Sequence, residues 1–138
     1  MRKFELSNYY DLLNLHKALM EAKFHDNPDN EYVAGSPIIA KIMNEIVDIL
    51  ADIDPHANES DWKTWRKLEN HLNSTCEFEF GKTIWDRLLH RVSKDKLWEK
   101  YDNEEKIVAT KNYFSPFIVT EKEINDFINA VDMKINSN

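Results

Sequence analysis

The sequence predicts a mostly α-helical fold, a single-domain bundle of five or six helices over residues 1–138 arranged around a central helix at 37–53. Three observations carry this. Glycine and proline are scarce, two and four in 138 residues, and β-sandwiches and barrels need many tight turns. Apolar residues recur at three- and four-residue steps along much of the chain, which gathers them on one side of a helix. The hydrophobic fraction, 42% with 12% aromatic, suffices for a packed core in a chain the size of one ordinary domain.

The first helix is expected from Ser7 or Asn8 to about His25, with Leu12, Leu13, His16, Leu19, Met20 and Phe24 on one face. Residues 26–31, rich in Asn, Asp and Pro, make a polar loop. The central helix starts at Ser36-Pro37, where serine accepts from first-turn amides and proline lacks only an N–H that has no partner there. Ile39, Ile42, Ile46, Ile49, Leu50 and Ile53 form its stripe, widened by Ile38, Met43 and Val47, so neighbours are expected on more than one side. Asp54-Pro55 ends it.

A third helix is expected from Asn58 or Ser60 to about Asn73, burying Trp62, Trp65, Leu68 and Leu72. Cys76 to Phe80 alternates apolar and acidic residues, the period of a short strand, and Gly81 closes it. A fourth helix covers Thr83 to Val92, followed by a short fifth with Trp98 and Tyr101 as an exposed pair. Residues 102–119 read as a connection, with room for a second short strand at 106–109. The last helix begins at the capping box Thr120–Glu123 and carries Ile124, Phe127, Ile128, Val131 and Ile135.

Several function classes are excluded or disfavoured. Cys76 is the only cysteine, so neither an intramolecular disulfide nor a four-cysteine zinc site can form. Its ordinary role is a buried inert thiol, although His71 and His90 lie near in sequence. With two glycines there is no phosphate loop, dinucleotide fingerprint or nucleophile elbow. Asp86 and His90 supply two metal ligands where a catalytic zinc usually needs three, and Asp48, Asp52, Asp54 and His56 read as a solvated acidic surface. No metal and no cofactor are expected. The N-terminus lacks a signal-peptide apolar run and no segment approaches a membrane span, so a cytoplasmic location is expected.

The net charge of −7 is unevenly placed. Residues 1–60 carry −6, residues 61–115 carry +1 and residues 116–138 carry −2. An acidic first half repels phosphate backbones and attracts basic proteins. The expected function is therefore that of an acidic binding protein that neutralises a basic protein partner, such as an immunity protein or inhibitor of a bacterial toxin. The candidate partner-binding residues are Asp26, Asp29, Glu31, Glu45, Asp48, Asp52, Asp54 and Glu59, with Tyr32 as an aromatic anchor.

A second constellation points elsewhere. Arg66-Lys67-Leu68-Glu69-Asn70-His71 has Arg-x4-His spacing on a helical stretch. It resembles the signature of the HEPN superfamily, small helical domains that include metal-independent ribonucleases. The resemblance covers these six residues. It implies an RNA-cleaving dimer in which Arg66 and His71 act together to bind the phosphate and move protons, whereas the residues alone read as surface groups flanking the Trp62/Trp65/Leu68/Leu72 stripe.

Overall fold

Each α-helix among the described residues opens on a side-chain cap. Asn8 accepts from the Tyr10 amide at 2.8 Å, Ser36 from Ile39 at 3.2 Å and Thr83 from Asp86 at 3.1 Å. Asn58/Asp61, Asp102/Glu105 and Thr120/Glu123 form reciprocal capping boxes. Such caps are each worth about 1 kcal/mol, and they set where the helices begin. In this computed structural model, residues 2–25, 30–73 and 83–137 are described.

Six α-helices lie within them: α1 (Tyr9–Phe24), α2 (Pro37–Ile53), α3 (Glu59–Arg66), α4 (Ile84–Ser93), α5 (Asn103–Phe114) and α6 (Glu121–Asn136). Single 3-10 turns occur at Leu68–Asn70 and Trp98–Lys100. There is no strand among the described residues; Lys67 and Ile118 make an isolated parallel bridge. No helix there is long and apolar enough to cross a membrane.

The core has two parts. The larger one joins α4, α5 and α6 through Leu88, Val92, Trp98, Phe114, Phe127 and Val131, all at most 1% exposed. Phe24 of α1, Leu68 and Phe117 extend it. The smaller part lies between α1 and α2. Only Leu12, Ile46 and Leu50 are fully covered there, and Leu6, Tyr9, Leu13, Leu15, Leu19 and Trp62 are half-buried around them. α2 packs against α1, α3 and α5, which gives it neighbours on three sides.

Three basic side chains, Lys23 and Arg87 buried and Arg91 half-buried, hold these layers together by reaching helix ends, where backbone carbonyls lack intrahelical donors. Lys23, fully buried, donates from Nζ to the Asn112 and Ser115 carbonyls at the end of α5. Burial pushes its pKa down to about 7. In return, Arg87 and Arg91 of α4 donate to the Phe24 and His25 carbonyls at the end of α1, at 3.1 and 2.9 Å. Gly35 sits where α2 meets α5: a Cβ there would lie 2.8 Å from Tyr113 Cζ, so the contact admits no side chain.

Several expectations are corrected. The stretch 102–119 is not a connection, and 106–109 is not a strand: both belong largely to α5. Its start is the Asp102/Glu105 capping box, and Thr110, Tyr113 and Phe114 are its buried residues. The three-residue apolar run Ile107-Val108-Ala109 is helical because it follows that capping box and lies in a 12-residue helix whose far end is anchored by buried Tyr113 and Phe114. The third helix stops at Arg66 rather than near Asn73, because Lys67 turns extended beside Ile118, whose N–H donates to the Arg66 carbonyl at 2.7 Å and whose carbonyl accepts from Leu68 N–H at 3.4 Å. Trp98 is not exposed. It is fully buried, its indole N–H donates to Asp132 Oδ1 at 2.8 Å, and Lys106 lies over its ring. The strand expected at 76–80, and Cys76 with it, lies outside the described residues.

Candidate functional site

α2 carries more apolar residues than its three neighbours cover. At about 100° per residue, Ile38, Ile42, Ile49 and Ile53 fall within about 60° of one another. They are 70%, 38%, 42% and 39% exposed, whereas Ala40, Met43, Ile46, Val47 and Leu50 turn inward. The expected stripe is therefore split, and its outer half faces solvent. Single exposed leucines or isoleucines are ordinary on a protein surface; four in a row on one helix are not.

Carboxylates line the same surface. Glu45 and Asp52 are exposed, fall within about 40° of Ile38 on the wheel, and have no ion-pair partner among the described residues. Just before α2, in the turn 31–35, Glu31 is exposed and Tyr32 is 86% exposed. These are the predicted partner-binding residues that the structure leaves free for a ligand. Asp26 and Asp29 lie outside the described residues.

The remaining predicted acids are already engaged. Asp48 Oδ1 accepts from Arg66 at 2.6 Å. Asp54 caps the end of α2, accepting from the His56 amide at 2.8 Å and the Trp62 indole at 3.1 Å. Partial burial alone would raise its pKa, but the hydrogen bonds from His56, Trp62 and Ala57 hold it below the usual carboxylate value. Glu59 pairs with Lys63 one turn on, at 3.1 Å. Among the described residues, no three acidic, histidine or cysteine side chains are grouped to hold a metal ion.

The Arg-x4-His pair is built into the fold. Arg66 Nε donates to the Pro116 carbonyl at 3.0 Å, and its two terminal nitrogens reach Asp48 and Asn44 of α2 at 2.6 and 2.8 Å. The guanidinium thus joins α3, α2 and the turn after α5. His71 Nε2–H donates to the Trp65 carbonyl at 2.5 Å, and its ring packs on Phe117 with centroids 4.4 Å apart. For Arg66 to bind a phosphate, the guanidinium would have to give up three acceptors, two on α2 and one in the turn after α5.

His16 stands out as a group whose position matters more than its place in the sequence suggests. It lies on the inner face of α1, 6% exposed, between the rings of Trp62 and Trp65 at 5.8 and 5.2 Å. Its Nδ1 is buried without a hydrogen-bond partner. Burial, with Lys17 adding a lesser push, lowers its pKa to about 4, so the ring is neutral at pH 7.

On the outer face of α2 the exposed isoleucines thus stand beside two carboxylates that have no ion pair among the described residues, and an exposed tyrosine precedes the helix in the chain. That arrangement can bind a protein; it contains no nucleophile–base pair. No protein-family model, curated protein or solved structure matches the chain.

Proposed function

We propose that the chain is an acidic binding protein that neutralises a basic protein partner, in the manner of an immunity protein or an inhibitor of a bacterial toxin. One observation carries this reading. The outer face of α2 leaves four isoleucines exposed beside Glu45 and Asp52, carboxylates with no ion-pair partner among the described residues. Apolar anchors supply affinity when a partner excludes water from them. Carboxylates around them favour a basic partner and speed its approach. The excess of negative charge in residues 1–60 extends the same attraction beyond the face itself.

An immobilised copy offered proteins of its native host at low salt is expected to retain a basic protein and release it as salt rises. Excess binding protein is expected to suppress that partner's activity. Reversing both free charges, Glu45→Lys with Asp52→Lys, is expected to end retention while the fold stays intact, since both side chains are exposed. Retention unaffected by the reversals, or recovery of no basic protein, overturns the reading.

A further inference from the structure

The exposed isoleucines do not stand alone. On α1, Asp11, Leu15, Ala18 and Ala22 fall on one side of the helix at steps of four, three and four residues. Leu15 and Leu19 pack, half-buried, against the cluster that contains Ile46 of α2. Ala18 and Ala22 are exposed. α1 packs directly on α2, so the exposed isoleucines of one helix and the exposed alanines of the other, which flank the half-buried Leu15 and Leu19 in sequence, are carried by adjacent helices. Asp11, Glu45 and Asp52 supply carboxylates on these helices. The stripe from Ile38 to Ile53 is about 22 Å long, four helical turns.

From this geometry we infer that the partner docks a basic amphipathic helix of about four turns along α1 and α2. The inference rests on the reading above and names the element that the partner presents. A straight, linear stripe of that length matches one side of a helix, whose anchors recur at i, i+3 or i+4 and i+7. The occupant must be basic because its flanking residues meet Glu45 and Asp52. A second copy of this chain fits poorly. The isoleucine spacing is symmetric about positions 45 and 46, so two-fold pairing of α2 sets Glu45 against its own counterpart. Like charges so placed disfavour the pairing.

The test uses the full chain and three synthetic peptides: an amphipathic leucine/lysine helix of four to five turns, a scrambled sequence of the same composition, and a leucine/glutamate counterpart. The leucine/lysine helix is expected to shift the amide resonances of residues 15–22 and 38–53 and to bind at least about tenfold more tightly than either control. Ile42→Ser with Ile49→Ser is expected to weaken binding at least about tenfold. Ile38→Asp, at the most exposed position of the stripe, is expected to weaken it without loss of the native melting transition. Sedimentation of the free chain is expected to give a monomer.

Equal binding of the scrambled peptide, shifts confined to other helices, or a dimer broken by Ile38→Asp would each overturn the inference. The two levels separate in the pull-down. If the isoleucine variants keep the natural partner while Glu45→Lys/Asp52→Lys loses it, the docked helix is wrong and the acidic binding protein stands. If no variant and no wild type retains a basic protein, the function itself falls.

Discussion

His16 makes the stability of this protein sensitive to mild acid, by an amount that its burial sets. In the unfolded chain the imidazole titrates at 6.5, and in the folded protein at about 4. A histidine whose folded pKa is depressed binds more protons when unfolded, so stability is lost as pH falls through 6.5 and levels off below about 4. The full shift corresponds to about 3 kcal/mol at 1.36 kcal/mol per pKa unit. Between about pH 7 and pH 4.5 the linkage amounts to about 2.4 kcal/mol. The perturbation that isolates it is His16→Leu, which keeps an apolar body between Trp62 and Trp65 and removes the unpartnered Nδ1. Urea denaturation of both proteins at the two pH values is the assay. Wild type is expected to lose about 2.4 kcal/mol more than the variant over this interval; acid effects on carboxylates such as Asp54 are common to both and cancel. At pH 7 the variant is expected to be as stable as wild type or more so, since burying an unsatisfied ring nitrogen costs about 1–3 kcal/mol. Parallel loss of stability in the two proteins would refute the assignment of His16 as a buried neutral ring.

Two further outcomes follow from basic side chains that tie segments together, Lys23 and Arg66. Lys23, with its pKa lowered to about 7 from 10.5 by burial, binds fewer protons folded than unfolded between those values, so stability rises with pH across that window. The gain from about pH 7 to 9 is about 2 kcal/mol, and Lys23→Met is expected to abolish it in the same denaturation series; an unchanged slope would sink this account. Arg66→Ala is expected to cost about 2–4 kcal/mol, because it breaks three charged hydrogen bonds, two to α2 and one to the turn after α5. Arg66→Lys is expected to recover only part of that loss, since an ammonium cannot span the same acceptors. Should Arg66→Ala keep full stability and instead relieve a growth arrest caused by the wild type, the arginine acts on RNA and not as a tie.

Helix starts are the part of this fold most plainly written in the sequence. Ser36-Pro37 and Thr120–Glu123 announce α2 and α6 because the cap and the first turn are neighbours in the chain. The same logic was available at Asp102 and Glu105, where a capping box opens α5, but the adjacent Ile107-Val108-Ala109 suggested a strand. The end of α3 was not legible. Lys67 leaves the helix to pair with Ile118, a residue 51 positions away that no local pattern connects to it.

The candidate site divides in the same way. Composition and charge placement by themselves determined an acidic first half and an apolar α2, because both are sums over neighbouring residues. Which isoleucines are buried was decided only in three dimensions, by α1, α3 and α5 covering three sides of α2 and leaving the fourth open. Tertiary structure likewise decided which charges are free. Asp48 is tied to Arg66 and Asp54 caps a helix, whereas Glu45 and Asp52, alike in sequence, have no ion-pair partner among the described residues. The physical reason is common to all of these cases. Helix periodicity and capping act over three or four residues, whereas burial and ion pairing depend on which distant segments pack together.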